Sequence, residues 1–374
     1  MSIETPPPLS ENRARRLDNI QALRGIAAVL VVFYHIALFL REGAWPGVSG
    51  YPTGIWDQGW VGVDLFFVIS GFIMVWTTRD IQRGVGTAAN FLWRRALRIY
   101  PLWWICAAVM AVYFFITYGM PAAPDRVADA SEGWGFALKS FALFPQTAPP
   151  LLGVGWTLIH EMWFYLVFAL VICLPRRVLR PALVLWAAIT VAGYLVFQPS
   201  QASAPVLAVM LNPLTLEFIA GAFAAWVLQN MGMPSHKVCV VIIGFSILWV
   251  VTAMALDIKV PDWAQHASRT AVYCLPLTLI VWASSVWQPR VPVWLRALGD
   301  MSYSLYLTHY LVLITLARIM RMIAPESTAV VPIQTGLTLL ALGLSLAVGW
   351  LTFRLIERPL GRRLGRKPQS VVKA

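Results

Sequence analysis

Ten runs of about 20 mostly apolar residues decide what this chain can fold into, because each is long enough to cross the hydrocarbon core of a bilayer as a helix. They fall at about 19–40, 59–77, 99–118, 155–174, 181–197, 205–229, 237–256, 268–287, 299–323 and 329–353. Inside lipid every backbone N–H and C=O needs an internal partner, so apolar runs of this length become helices. Only 12% of the 374 residues are charged and the mean hydropathy is +0.69, whereas a soluble domain carries about a quarter charged residues. The expected fold is all-α, a polytopic transmembrane bundle of about ten helices. Polar segments between the runs stay below about forty residues, too short for a large soluble domain. The chain divides into an N-terminal tail over 1–18, a transmembrane domain over 19–353 and a basic tail over 354–374.

The net charge of +12 sits beside the hydrophobic runs, which points to membrane lipid and away from nucleic acid. With the N-terminus in the cytoplasm, Lys and Arg divide about three to one in favour of the segments on that side, so both termini are expected inside. The four cysteines, Cys106, Cys173, Cys239 and Cys274, lie in apolar runs without metal-ligand spacing, and no metal site is expected. The longest outer loop, Thr117 to Val154, is rich in Ala, Pro and Gly and reads as a lid over an outer site. Asn212-Pro213 predicts a kink in the sixth span, with Glu217 below it available to the freed backbone groups.

Ionisable residues inside such spans are costly and by default line an interior path or site. Arg24 and His35 share the first span, eleven positions apart. At about 100° per residue they face the same way, and their axial separation is about 16 Å. Counted by depth, His35, Asp64 in the second span and Glu161 in the fourth fall in one outer layer. An imidazole with carboxylates to orient it is the equipment of general base catalysis. Arg94, Arg95 and Arg98, before Tyr100-Pro101, fall with Arg24 on the inner side, where guanidinium forks suit phosphate oxygens. Taken singly, each has a plainer reading. The arginines fit the positive-inside bias, Asp64 or Glu161 a hydrogen-bond hub, His160 a packing residue and Asp300 a helix cap. His309, near mid-depth in a polar run, faces either protein or water. The agreement of depths favours a site. A solute transporter would use the same polar path, but no two-half symmetry is visible.

At these residues the chain resembles the membrane acyltransferase-3 family. Arg24-x10-His35 is similar to its hallmark, and Gly62-Val-Asp64-Leu-Phe-Phe to its second-helix signature. Arg94-Arg95-Ala-Leu-Arg98-Ile-Tyr100-Pro101, Trp156-Thr-Leu-Ile-His-Glu161, Ser302-Tyr303-Ser304 through His309, and Phe353 through Pro359 resemble four later motifs in order. Met162 stands where many members have a second glutamate, as in the branch that acetylates bacterial exopolysaccharide without a fused esterase-like domain. The resemblance implies transfer of an acyl group, usually acetyl from cytoplasmic acetyl-CoA, to a sugar hydroxyl at the outer face of the bacterial cytoplasmic membrane. By that likeness Arg24, Arg94, Arg95 and Arg98 hold the donor while Ser302 and Tyr303 line the channel. His35 activates the hydroxyl or carries the acyl group, and Glu161 and Asp64 orient or balance it. A succinyl or longer acyl donor, a nitrogen or other non-polysaccharide acceptor, a lipid-linked acceptor, and a second copy or polysaccharide-assembly proteins as partners stay open.

Overall fold

The computed structural model describes residues 9–41, 54–117, 134–231, 233–256, 265–287, 290–323 and 331–364. Among them the secondary structure is helical, without strands: α1 (Leu9–Arg41), α2 (Val61–Thr77), α3 (Val85–Thr117), α4 (Trp134–Ala142), α5 (Trp156–Cys173), α6 (Leu179–Phe197), α7 (Pro205–Met210), α8 (Thr215–Asn230), α9 (His236–Ala255), α10 (Gln265–Trp287), α11 (Val293–Asp300), α12 (Ser302–Ile323), α13 (Val331–Thr352) and α14 (Arg358–Leu364). Among the described residues ten helical stretches are long and apolar enough to cross a membrane, one for each expected run.

The bundle is built around α2, 78% of whose span is buried, against 22% for α6 and 28% for α9. The exposed side chains of the outer helices are large and apolar, Leu185 and Val196 on α6 and Val241 and Phe245 on α9, as lipid contact requires. Between α2 and α8 the backbones touch. A Cβ on Gly71 would lie 1.8 Å from the Phe218 carbonyl oxygen, and one on Gly221 1.9 Å from that of Val68. Small residues permit this approach where no hydrophobic effect drives helices together.

Three local features set the depth of the polar residues. First, α3 is a 33-residue helix that starts at Val85, well before the expected 99, and runs through Pro101. Its early half is amphipathic, with Ala88, Phe91 and Ile99 buried, so Arg94, Arg95 and Arg98 stand within a helix and not at its mouth. Pro101 withholds one helix hydrogen bond, and the Tyr303 hydroxyl donates to the nearby Ile99 carbonyl (2.7 Å). Second, the described part of the long loop is tied down on α3. Trp103 and Trp104 donate to the Ser140 and Phe141 carbonyls at 3.1 Å, and Tyr100 to that of Ala142 at 2.9 Å. Residues 118–133, the rest of the expected lid, lie outside the described residues. Third, the sixth expected span is two helices, α7 and α8. The Asn212 side chain, not Glu217, accepts the freed Leu214 N–H at 3.0 Å.

The chain stays helical beyond 353. A π-helical turn, Phe353–Glu357, leads into α14, and Ser304 on α12 donates to Glu357 at 2.5 Å. Asp300 ends α11 and accepts from Gln21 on α1 at 2.8 Å.

Candidate active site

The loop tucked onto α3 starts α5 deep in the bundle, beside Trp103; a Cβ at Gly155 would stand 2.3 Å from that ring. The antiparallel neighbours α3 and α5 are pinned at their other ends by the Gly84 N–H to Ile172 carbonyl bond (3.3 Å). From those helix ends, Val85 and Cys173, Arg98 stands about 20 Å along α3 and Glu161 about 18 Å along α5. Glu161 is therefore level with the arginines, and the outer layer expected of His35, Asp64 and Glu161 divides among three clusters.

The first cluster is a slot of about 70 Å³. Arg24, Arg95 and Arg98 line it together with Glu161, Ser302 and Tyr303. Its α2 wall extends from Val63 to Met74, about 16 Å along the helix. Arg24 donates to Gln21 at 2.8 Å, and Gln21 to Asp300. The Arg95 guanidinium lies 5.3 Å from the ring centroids of both Phe91 and Tyr165, and the Tyr165 hydroxyl donates to Glu161. The buried Ser302 hydroxyl has no protein partner among the described residues. Three arginines against one glutamate make the slot a place for an anion or a strongly polar acceptor.

Arg94 lies outside the slot, in an adjoining cavity of about 470 Å³ with Trp93, Glu357 and Arg358. Arg98 lines both spaces. The α14 residue Arg358, read from sequence as part of a basic tail, thus faces the same cavity as Arg94.

The second cluster is a histidine pair beyond the slot, which is lined on that side by Thr157 and Tyr306. Ser302, Tyr303, Tyr306 and His309 form one stripe of α12. Tyr306 and Thr157 close the slot with hydroxyls 2.7 Å apart, both within reach of the Val154 carbonyl (2.8 and 3.1 Å). One turn beyond Tyr306, His309 Nε2 is 3.2 Å from His35 Nδ1. His309 Nδ1 is 3.0 Å from the Leu305 carbonyl, and His35 Nδ1 is 2.9 Å from that of Val31. A carbonyl only accepts, so in neutral rings His309 carries its proton on Nδ1 and presents Nε2 as acceptor. His35 then donates from Nδ1, shared between Val31 and His309, and its own lone pair lies on Nε2. A histidine thus takes the position beside His35 that the sequence reading gave to carboxylates.

The third cluster holds Asp64, which is fully buried and ion-paired with Arg269 of α10 at 2.5 Å. Arg269 also donates to the Trp60 carbonyl (3.1 Å) and lies 4.2 Å from the Trp60 ring centroid. Glu217 is buried alongside and accepts from Thr270 at 3.2 Å. This cluster joins α2, α8 and α10, and Asp64 there faces an arginine, not His35. Among the described residues no three His, Cys, Asp or Glu side chains are grouped to hold a metal ion.

The family profile described as an acyltransferase domain, that of the acyltransferase-3 family, matches residues 17–354. The exopolysaccharide production protein ExoZ of Rhizobium meliloti is 30% identical over 320 residues, covering 82% of this chain and 90% of its own. Nodulation protein 10 of Rhizobium leguminosarum bv. viciae is 27% identical (83% and 87% covered), and the acyltransferase MdmB of Streptomyces mycarofaciens 26% (95% and 94%). No solved structure matches the chain. With the profile running through nearly every helix that builds the three clusters, the chain belongs to the acyltransferase-3 family and is a multi-pass membrane acyltransferase.

Proposed function

We propose that the protein moves an acetyl group from cytoplasmic acetyl-CoA to a hydroxyl of an exported glycan, working in the bacterial cytoplasmic membrane with both termini inside. The observation that supports this reading is the meeting of the two arginine-lined spaces at Arg98, with the narrower one lined at its other end by Tyr306, one turn of α12 before His309. The donor's phosphates occupy the 470 Å³ cavity at Arg94, Arg98 and Arg358, and its arm lies in the slot past Arg24 and Arg95. The slot's α2 wall, about 16 Å long, equals the axial rise from Arg24 to His35 on α1. Ser302 and Tyr303 line the arm's path.

At the far end His35 Nε2 accepts the proton of the sugar hydroxyl as its oxygen bonds to the thioester carbonyl carbon. The positive charge on His35 is shared through Nδ1–H with His309 Nε2, the role the sequence reading assigned to Glu161 and Asp64. A Tyr306 or Thr157 hydroxyl that turns away from the Val154 carbonyl supplies a donor to the developing oxyanion. When the intermediate collapses, the C–S bond breaks and the thiolate of coenzyme A takes the proton back from His35. Glu161, held by Tyr165, balances the arginines of the slot, and Asp64 holds Arg269.

Exopolysaccharide as the acceptor is supported by the likeness to the exopolysaccharide production protein. The test is mass spectrometry of surface polysaccharide from cells with and without the protein, together with purified protein in liposomes given radiolabelled acetyl-CoA. Loss of an acetyl mass difference and protein-dependent transfer of label are expected. Identical polysaccharide spectra would overturn the acceptor, and a different mass difference the acyl group.

A further inference from the structure

Where the chain leaves α5 and enters α6, a hollow of about 720 Å³ opens between the start of α6 and the last turn of α8. Arg176, Arg177 and Arg180 line it with Val184, Trp226 and Asn230. It shares no residue with the slot or the cavity at Arg94. It lies at the end of the bundle where the distribution of basic residues puts the cytoplasm.

The three guanidinium groups are held in different ways. Arg176 is fixed, donating to the Arg79 carbonyl just past α2 and to Gln229 Oε1 on α8, each at 2.9 Å. Gln229 in turn donates to the Val75 carbonyl at 3.2 Å, so this corner joins α2, α8 and the start of α6. Arg180 lies over the Trp226 ring, 5.5 Å from its centroid. An indole face orients a guanidinium without neutralising it, and leaves its N–H edge available. Arg177 is exposed at the rim. None of the ion pairs among the described residues includes these arginines, and no carboxylate is among the described residues that line the hollow. Three positive charges therefore share one hollow without a counterion from the chain, an arrangement that an anion relieves.

The neighbouring surface decides which anion. Val184, Val191 and Leu195 continue the Arg180 stripe of α6, all exposed. Opposite them the exposed Phe223 stacks on Trp226, with centroids 5.4 Å apart. The α6 span is only 22% buried and faces lipid along its length. Phosphate-binding forks followed by an apolar strip repeat the order of a phospholipid, headgroup and then acyl chain. A headgroup that carries an ammonium would bring a fourth cation with no carboxylate to receive it, so the headgroup that fits is net anionic.

We propose that this hollow binds an anionic glycerophospholipid of the phosphatidylglycerol type. Arg177 and Arg180 hold its phosphate, Arg176 frames the site, and an acyl chain lies along Val184 and Phe223. The lipid bridges α6 to α8, where α6 itself buries only Leu179, Leu183, Trp186 and Thr190. Bound lipid therefore also holds α6 in place. The site is independent of the acyl-transfer chemistry.

Native mass spectrometry reads the lipid retained by the full-length protein after equilibration in detergent with phosphatidylglycerol or with phosphatidylethanolamine of the same acyl chains. The wild type is expected to be half-occupied at about tenfold lower phosphatidylglycerol than phosphatidylethanolamine. Equal retention overturns the proposal, and this arm needs no variant to fold. Arg177→Gln with Arg180→Gln should raise the half-occupancy concentration about ten- to thirtyfold, from about fivefold for each basic residue at a lipid surface. Arg362→Gln with Arg363→Gln removes the same charge from α14 and should change it by less than about twofold, since exposed charges outside the hollow are screened by salt. Equal weakening by the two pairs would mean general attraction to a basic face and would overturn the site. In nanodiscs, exchanging phosphatidylcholine for phosphatidylglycerol should raise the thermal midpoint of the wild type and of the α14 pair, but not of the α6 pair. No difference between the two pairs overturns the role in holding α6. Displacement of the lipid by inorganic diphosphate that gives the same rise by itself would place a soluble anion in the hollow and overturn the lipid assignment.

Discussion

Arg98 is the single arginine shared by the two basic spaces, and its neighbours divide the work that a count of charges would give them equally. Arg98→Ala should raise the KM for acetyl-CoA by about tenfold or more while kcat changes less, since charge-assisted hydrogen bonds contribute about 1.5–3 kcal/mol each. Arg94→Ala, on the wider cavity and donating to Asn90 at 3.4 Å, should cost less. Steady-state kinetics with acetyl-CoA varied decides both, and equal effects of the two substitutions would contradict the division. His35→Ala at unchanged expression should lower kcat by about 10²–10⁴, the usual span for a general base. His309→Phe should lower kcat less, at an unchanged donor KM, and His309→Gln should recover part of it because an amide oxygen can accept from His35 Nδ1. The sequence made His35 and the arginines legible because charged groups in apolar runs are rare and stand out. His309 was harder to assign. Its run of Ser, Tyr, Thr and His shows polarity without a partner, and only the packing of α12 against α1 brings the two imidazoles within 3.2 Å.

At the scale of elements, spans are local and were readable, whereas depth is tertiary. Among the described residues the ten apolar runs gave ten membrane-long helical stretches, because length and hydropathy suffice for that, although the sixth is broken into α7 and α8. Glu161 shifted clusters because the segment from Trp134 to Gly155 folds back onto α3, which no periodicity in α5 records. The early start of α3 was legible in principle, from the spacing of Ala88, Phe91 and Ile99, but the arginines between them lower the hydropathy that marks a span. The α2–α8 contact yields a sharper expectation. Gly71→Val places methyl groups where the Phe218 carbonyl already stands, so the two helices must separate. A lowered thermal midpoint in detergent and loss of acetyl transfer should appear together. The α2–α10 contact behaves differently: Asp64→Asn leaves Arg269, whose side chain is 13% exposed, beside a neutral amide. Removing one partner of a buried pair costs about 3–5 kcal/mol, so a substantial loss of stability is expected without a specific change in donor KM. A stable variant with a selectively altered KM would instead tie Asp64 to the donor.

For the whole molecule, the functional reading depends on polarity: the basic cavity must open to the cytoplasm and the histidine pair must lie toward the outside. The distribution of Lys and Arg supports that orientation, since Arg176 and Arg177 lead into α6 at one end while Gln198 to Gln201 leave it at the other. Both ends of the bundle carry positions that tolerate a probe. Leu364 ends α14 at the rim of the 470 Å³ cavity, and Ser200 lies exposed in the connection from α6 to α7. In a background with the four native cysteines replaced by serine or alanine, Ser200→Cys should react with a membrane-impermeant maleimide on intact spheroplasts. Leu364→Cys should react only after the membrane is opened. The reverse pattern would place the arginines outside, where no cytoplasmic thioester can reach them, and would overturn the direction of transfer. Labelling of both from one side would mean that α14 and the connection from α6 to α7 lie on the same face, and the slot would no longer connect donor and acceptor compartments.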